Sequence, residues 1–221
     1  MFIGHFGVGF AAKKVDNRPS LGTMFIAAQF LDLIWPVLIL LDIEKVKIEP
    51  GNPPFKTLDF LYYPFSHSLL STVLLGILFG GIYYLVKKNL KGSILLGSLV
   101  VSHWILDLFT HVPDLPLFPW SDIKVGLGLW NSVPVTIIIE TAIFIGGVYF
   151  YISATHSKNL KGSFGLWGLV GLFLISYIMS IVGATPPNVE AIGFAGLSMW
   201  LFVIWAYWVD RNRSAENEIA V

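Results

Sequence analysis

A succession of apolar runs, each about as long as a bilayer core is thick, leaves this chain little choice of architecture. They extend from Leu21 to about Leu41, Phe65 to Val86, Gly92 to Thr110, Leu129 to about Ile152, Gly162 to Val182 and Val189 to Val209. In lipid only a helix or a closed barrel satisfies every backbone N–H and C=O internally. A helix needs about 20 residues to cross roughly 30 Å of hydrocarbon, whereas a barrel strand needs only about 9–11. The expected fold is therefore all-α, a polytopic transmembrane bundle of five or six spans forming a single domain over 1–221. Composition agrees, with 55% of the 221 residues hydrophobic and 13% charged and a mean hydropathy of +0.73, outside the range of an ordinary soluble domain.

The segments between the runs refine this picture. Met1 to Ala12 is apolar but too short to span, and Gly4, Gly7 and Gly9 interrupt it, so it reads as a re-entrant or interfacial segment. Its basic residues follow rather than precede it, which is not a signal-peptide pattern; insertion through the first spans is the simpler reading. Residues 13–18 form a polar break, with Pro19 and Ser20 as a helix start, and Asp42 to Asp59 is a polar loop long enough for a hairpin or short cap. K-K-N-L-K-G-S at 87–93 and S-K-N-L-K-G-S at 157–163 read as two tight turns with the same job. Residues 121–209 supply the C-terminal helices, and 210–221 read as a loose polar tail.

Of the 14 Lys and Arg, only Lys45, Lys47, Lys56 and Lys124 fall in the loops that an inward N-terminus places outside. The other ten predict a plasma (inner) membrane protein with both termini cytoplasmic. Formal charge balances at zero, which points away from nucleic-acid partners and leaves membrane lipids. The chain has no cysteine, so any metal must be held by His and carboxylates.

Chemistry concentrates at Ser102 to Asp114, S-H-W-I-L-D-L-F-T-H-V-P-D. His103, Asp107 and His111 recur at i, i+4 and i+8, within about 40° of one another per step, so they share one helix face. An imidazole and a carboxylate one turn apart can grip the same cation. Ionisable groups at membrane depth cost roughly 2.5–3.5 kcal/mol each on insertion scales and are functional suspects by default. At 1.5 Å per residue, Asp32 and His103 lie roughly 16–18 Å from the inner ends of their spans, and Glu140 roughly 16 Å below the outer face. Asp107 lies somewhat further out, and His67 and His111 just above it.

No basic residue occurs within any run, so these carboxylates need a cation, a proton or His partners. Plainer readings exist for each. Asp32 can hydrogen-bond a neighbouring helix, His67 with Ser66 and Ser68 can be an interfacial cap, and His111 and Asp114 can be loop residues. His5, roughly 12 Å in if its segment dips into the bilayer, is the weakest by geometry.

G-H-F at 4–6, F-L-D at 30–32, F-S-H-S-L-L at 65–70 and S-H-W-I-L-D-L-F-T-H at 102–111 resemble the membrane-bound, metal-dependent hydrolase family. That family includes the LexA-binding, inner-membrane-associated hydrolases, and the resemblance covers the first half of the chain, making 1–120 a hydrolase-like metal-site half. Where the family often has P-D-x-D and H-R-G-x-x-H-S, this chain reads L-D-L-I and Y-Y-P-F-S-H-S, without the second carboxylate and the basic residue. More remotely, the order of residues looks like that of zinc-dependent phospholipase C. That likeness implies His5, Asp32, His67, His103, Asp107 and His111 as metal ligands, with Glu140 a late carboxylate.

The expectation is a membrane-embedded hydrolase using a divalent metal, zinc by donor type, on a phosphoester or ester of a lipid-like substrate. Asp32 or Glu140 would bridge metals or act as general base. The alternatives are an ion, proton or metal transporter using the same cluster, and a scaffold whose polar groups glue helices together.

Overall fold

The computed structural model describes residues 1–215; the remainder of the expected polar tail, 216–221, lies outside the described residues. Helices α1 (Ile3–Val15), α2 (Leu21–Ala28) and α3 (Phe30–Leu40) lead into an antiparallel hairpin of β1 (Lys45–Ile48) and β2 (Leu58–Tyr62). A single turn, α4 (Pro64–His67), precedes α5 (Leu69–Lys87) and α6 (Leu90–Thr110). The next loop carries the two-residue pair β3 (Leu115–Pro116) and β4 (Lys124–Val125). Then come α7 (Val133–Ala154), β5 (Thr155–Ser157), α8 (Leu160–Val182), α9 (Val189–Leu197), α10 (Met199–Arg211) and β6 (Arg213–Ala215).

Among the described residues five helices are long and apolar enough to cross a membrane: α5, α6, α7, α8 and the near-continuous Val189–Arg211. The pair α2 and α3 makes a sixth if its 58° bend belongs to one span. The all-α bundle expected from the apolar runs is the fold observed.

Local chemistry explains the helix starts. Ser20, Ser68, Asn89, Asn159 and Asn188 each accept a backbone N–H three residues on, satisfying a donor that the first turn leaves orphaned. Asn89 and Asn159 are the Asn of the two N-L-K-G-S echoes, so the repeat is one capping device used twice. Several boundaries differ from the expected ones. The second span begins at Leu69 because Ser68 is extended (ψ 147°) and separates it from α4. The fourth begins at Val133 after a 3-10 turn at Leu129–Asn131. The first is broken at the buried Gln29.

The N-terminal segment does not lie along a surface. Ile3, Phe6 and Phe10 of α1 are fully buried against α2, α7, α8 and α10, in an aromatic core with Phe25, Phe144, Phe173 and Phe202. Its glycines, at first sight interruptions, are the points of closest approach. A Cβ at Gly7 would meet the Ile143 carbonyl oxygen at 2.7 Å, and one at Gly147 would overlap the Gly7 carbonyl. Small residues that let backbones touch are the usual device for helix association in lipid.

At the opposite end from the His/Asp residues, Lys13 is 5% exposed and pairs with Asp210 at 2.8 Å, while Tyr151 donates to the same carboxylate at 3.1 Å. Asp16 accepts two side-chain bonds from Arg18 and one from Asn89. The C-terminal segment is not loose through residue 215. There β6 pairs with β5, and Arg213 donates to Thr155, Ser157 and the Gly162 carbonyl. Lys13, Arg18 and Arg213 are thus each held by ion pairs or hydrogen bonds within the protein. Asp210→Ala, which strands the Lys13 ammonium in a buried site, is expected to cost about 3–5 kcal/mol. Thermal unfolding in detergent checks this, and Lys13→Met in the same chain should restore much of the loss.

Candidate metal centre

Four elements deliver the centre. His5 comes from α1, Asp32 from the first turn of α3, His67 from α4, and His103 and Asp107 from one face of α6. Among the described residues two overlapping groups can hold a metal ion, His5–His103–Asp107 and Asp32–His67–His103. His5 Nε2 lies 3.1 Å from Asp107 Oδ1, and His103 Nε2 lies 3.2 Å from Asp107 Oδ2 and 3.6 Å from Asp32 Oδ2. His67 Nε2 lies 3.3 Å from Asp32 Oδ1. The His5 and His103 rings stack with centroids 3.6 Å apart. All but Asp32 are buried; the Asp32 side chain is 24% exposed.

The bend after α2 is part of the centre. A helix end leaves its last carbonyls without helical partners, and that of Ala28 lies 2.9 Å from His103 Nδ1. A carbonyl can only accept, so the proton sits on Nδ1 and Nε2 is directed at the two carboxylates. Gln29, at the bend itself, donates to Asp32 Oδ2 at 3.3 Å. His103 Nε2 is buried without a hydrogen-bond partner although carboxylate oxygens flank it. A nitrogen lone pair facing two carboxylates is tenable only with positive charge between them, either a proton or a metal cation. The donor set is nitrogen and oxygen, which suits a divalent metal ion.

The remaining candidates fare differently. His5, the weakest by depth, is brought fully into the centre because α1 is a buried helix. His111 is in neither group: its Nδ1 lies 2.8 Å from Asp114 Oδ1, which also accepts from the Tyr63 hydroxyl at 3.0 Å. Burial, with Asp114 beside it, pushes the Tyr63 phenol well above its ordinary value, so it stays a donor. Glu140 is also outside both groups, and its Oε2 accepts the Phe2 N–H at 2.8 Å at the start of α1. There it serves the first turn of a helix, where a carboxylate meets orphaned donors and the positive dipole end. The Met1 amino group donates to Asp107 Oδ1 at 2.6 Å.

Two residues outside the expected set support the centre. Glu44, 1% exposed, accepts the backbone N–H groups of Phe65 and Ser66, both at 2.8 Å, and the Ser66 hydroxyl at 2.6 Å. Ser66 Oγ in turn lies 2.6 Å from His67 Nδ1. Ser66, expected as a helix cap, instead joins a carboxylate to an imidazole; the cap of α5 is Ser68. The adjacency of Ser66 and His67 is the only sequence signal of this link, since Glu44 reads as one more charge in a polar loop.

Asp32, His67, Asp107, His111 and Glu140 line a cavity of about 530 Å³. Trp35, Phe55, Phe60 and Trp130 give it aromatic walls, and residues of the 52–58 loop and of 179–186 complete it; among the described residues no Lys or Arg lines it. Comparison with family models, curated proteins and solved structures returns no match.

Proposed function

We propose that the protein is a membrane-embedded, metal-dependent hydrolase acting on a phosphoester or ester of a lipid or other membrane-associated molecule. The observation that carries this reading is His103 Nε2, fixed by the Ala28 carbonyl, buried between two carboxylates and bonded to neither. His5, Asp32, His67, His103 and Asp107 would hold a divalent ion, zinc by donor type. Such an ion supplies Lewis acidity, polarising the scissile oxygen and acidifying water toward a pKa of about 7. Asp32 is the member whose carboxylate is partly open to the cavity, and is placed to accept a proton from water there. The aromatic walls suit the apolar part of a lipid, and the lysine and arginine bias supports an orientation with both termini cytoplasmic, in the plasma (inner) membrane on this reading.

Hydrolysis is favoured over ion transport by what lies between the centre and the Lys13 end. His5 and Lys13 are about 12 Å apart along α1, and in that interval Phe25 packs edge to face against Phe6, Phe10 and Phe173, with Phe10 edge to face on Phe173 as well. An ion path would need polar groups there.

Elemental analysis of detergent-purified protein is expected to give at least one divalent ion per chain, and Asp107→Asn to retain less of it through dialysis. Stoichiometric metal in the native protein together with hydrolysis of a lipid phosphoester would establish the reading. Metal-free native protein, with hydrolysis indifferent to His103→Ala, would overturn it.

A further inference from the structure

We infer that Glu44 and Ser66 form a proton-ordered relay that fixes the tautomer of His67, making Glu44 a positioning residue for the metal centre. The inference rests on the metal-dependent reading above, but its tautomer component does not require that an ion be bound.

The shortest contacts give one assignment of hydrogens, the Tyr63 carbonyl at 3.5 Å from Ser66 Oγ being a much weaker acceptor than Glu44 Oε2 at 2.6 Å. Glu44 Oε1 receives two backbone N–H groups, from Phe65 and Ser66, and Oε2 receives the Ser66 hydroxyl. A hydroxyl has one proton. With that proton committed to Glu44, Ser66 Oγ can only accept from His67 Nδ1, 2.6 Å away. The imidazole therefore carries hydrogen on Nδ1, leaving Nε2, 3.3 Å from Asp32, as the position for an ion or a second proton. Outer groups that hold a ligating histidine in one tautomer are a general feature of metal sites. Here the carboxylate acts through an intervening serine, and it lies in the turn that carries α3 into β1. Asp42, in the left-handed region at φ 55°, reverses the chain there and lets Glu44 point back into the bundle.

The relay makes a prediction that packing alone does not. Glu44→Gln preserves shape, and the two N–H groups on one oxygen pin the amide orientation, so the new NH2 faces Ser66. Ser66 then accepts from Gln, and its one proton goes to His67 Nδ1 at 2.6 Å rather than to the more distant Tyr63 carbonyl at 3.5 Å, which places the hydrogen on Nε2, where it blocks coordination. Metal affinity, measured by competition with a chelator in detergent, is expected to fall about 10–100-fold. In the Ser66→Ala background the same Glu44→Gln change is expected to have little effect, because the link that carried it is gone. The double variant should therefore bind metal more tightly than Glu44→Gln alone.

Nitrogen NMR of metal-free protein supplies the independent readout. Followed to a pH at which the ring is neutral, the single His67 proton is expected on Nδ1 in the native chain and on Nε2 in Glu44→Gln. Equal affinity losses from Glu44→Gln in both backgrounds, or an unchanged His67 signal in Glu44→Gln, would overturn the relay. If native protein binds no metal but the His67 proton moves as described, the relay stands and the hydrolase reading falls.

Discussion

His103→Ala is expected to remove the ion altogether. His103 is the one residue common to both candidate groups, so no intact triad survives its loss, whereas Asp107→Asn or His67→Ala each leaves the other triad whole. Metal content should drop to background, and hydrolysis should fall by more than the roughly 10–100-fold typical of losing an outer-shell partner. Elemental analysis and single-substrate kinetics on the same preparation check both. The ring is buried and packs on His5, so a stability control is needed; His103→Gln, which retains bulk without the ring nitrogen in place, should show the same metal loss with a smaller change in unfolding temperature.

The second large effect concerns a residue with no side chain. Gly147→Leu is expected to displace α1, because a Cβ there runs into the Gly7 backbone rather than into a side chain that can turn aside. Overpacking usually costs about 1–3 kcal/mol, and rigid backbone on both sides places this case at or above the top of that range. Gly146→Leu is the matched control, since a Cβ at Gly146 meets nothing within 4 Å. The two variants, one residue apart, should separate widely in thermal unfolding. Gly147→Leu should also lose metal, since α1 carries His5 and Glu140 of α7 accepts from its first turn.

The contrast between those residues shows what is legible in a sequence of this kind. Bilayer length is written into the apolar runs, so the spans are readable to within a turn. The i, i+4 relation of His103 and Asp107 fixes their common face through helix geometry alone. His5 is not readable in this way, because its position depends on α1 entering the bundle, and that depends on glycine contacts with α7 that no periodicity announces. Glu140 shows a limit of the converse kind: its depth can be counted along α7, but depth does not distinguish a carboxylate at an ion from one that accepts a backbone N–H at a helix start. Glu44 escapes entirely, since a turn between α3 and β1 decides whether a loop carboxylate faces solvent or folds inward.

An imidazole nitrogen has a single electron pair to give. Because the Nδ1 of His103 is engaged by Ala28, only Nε2 remains, and the two triads compete for it. Two ions cannot both claim full coordination, so a second equivalent must settle for an incomplete shell and bind far more weakly than the first. A metal titration of this protein should accordingly rise in two unequal steps, and the tight one should correspond to a single equivalent.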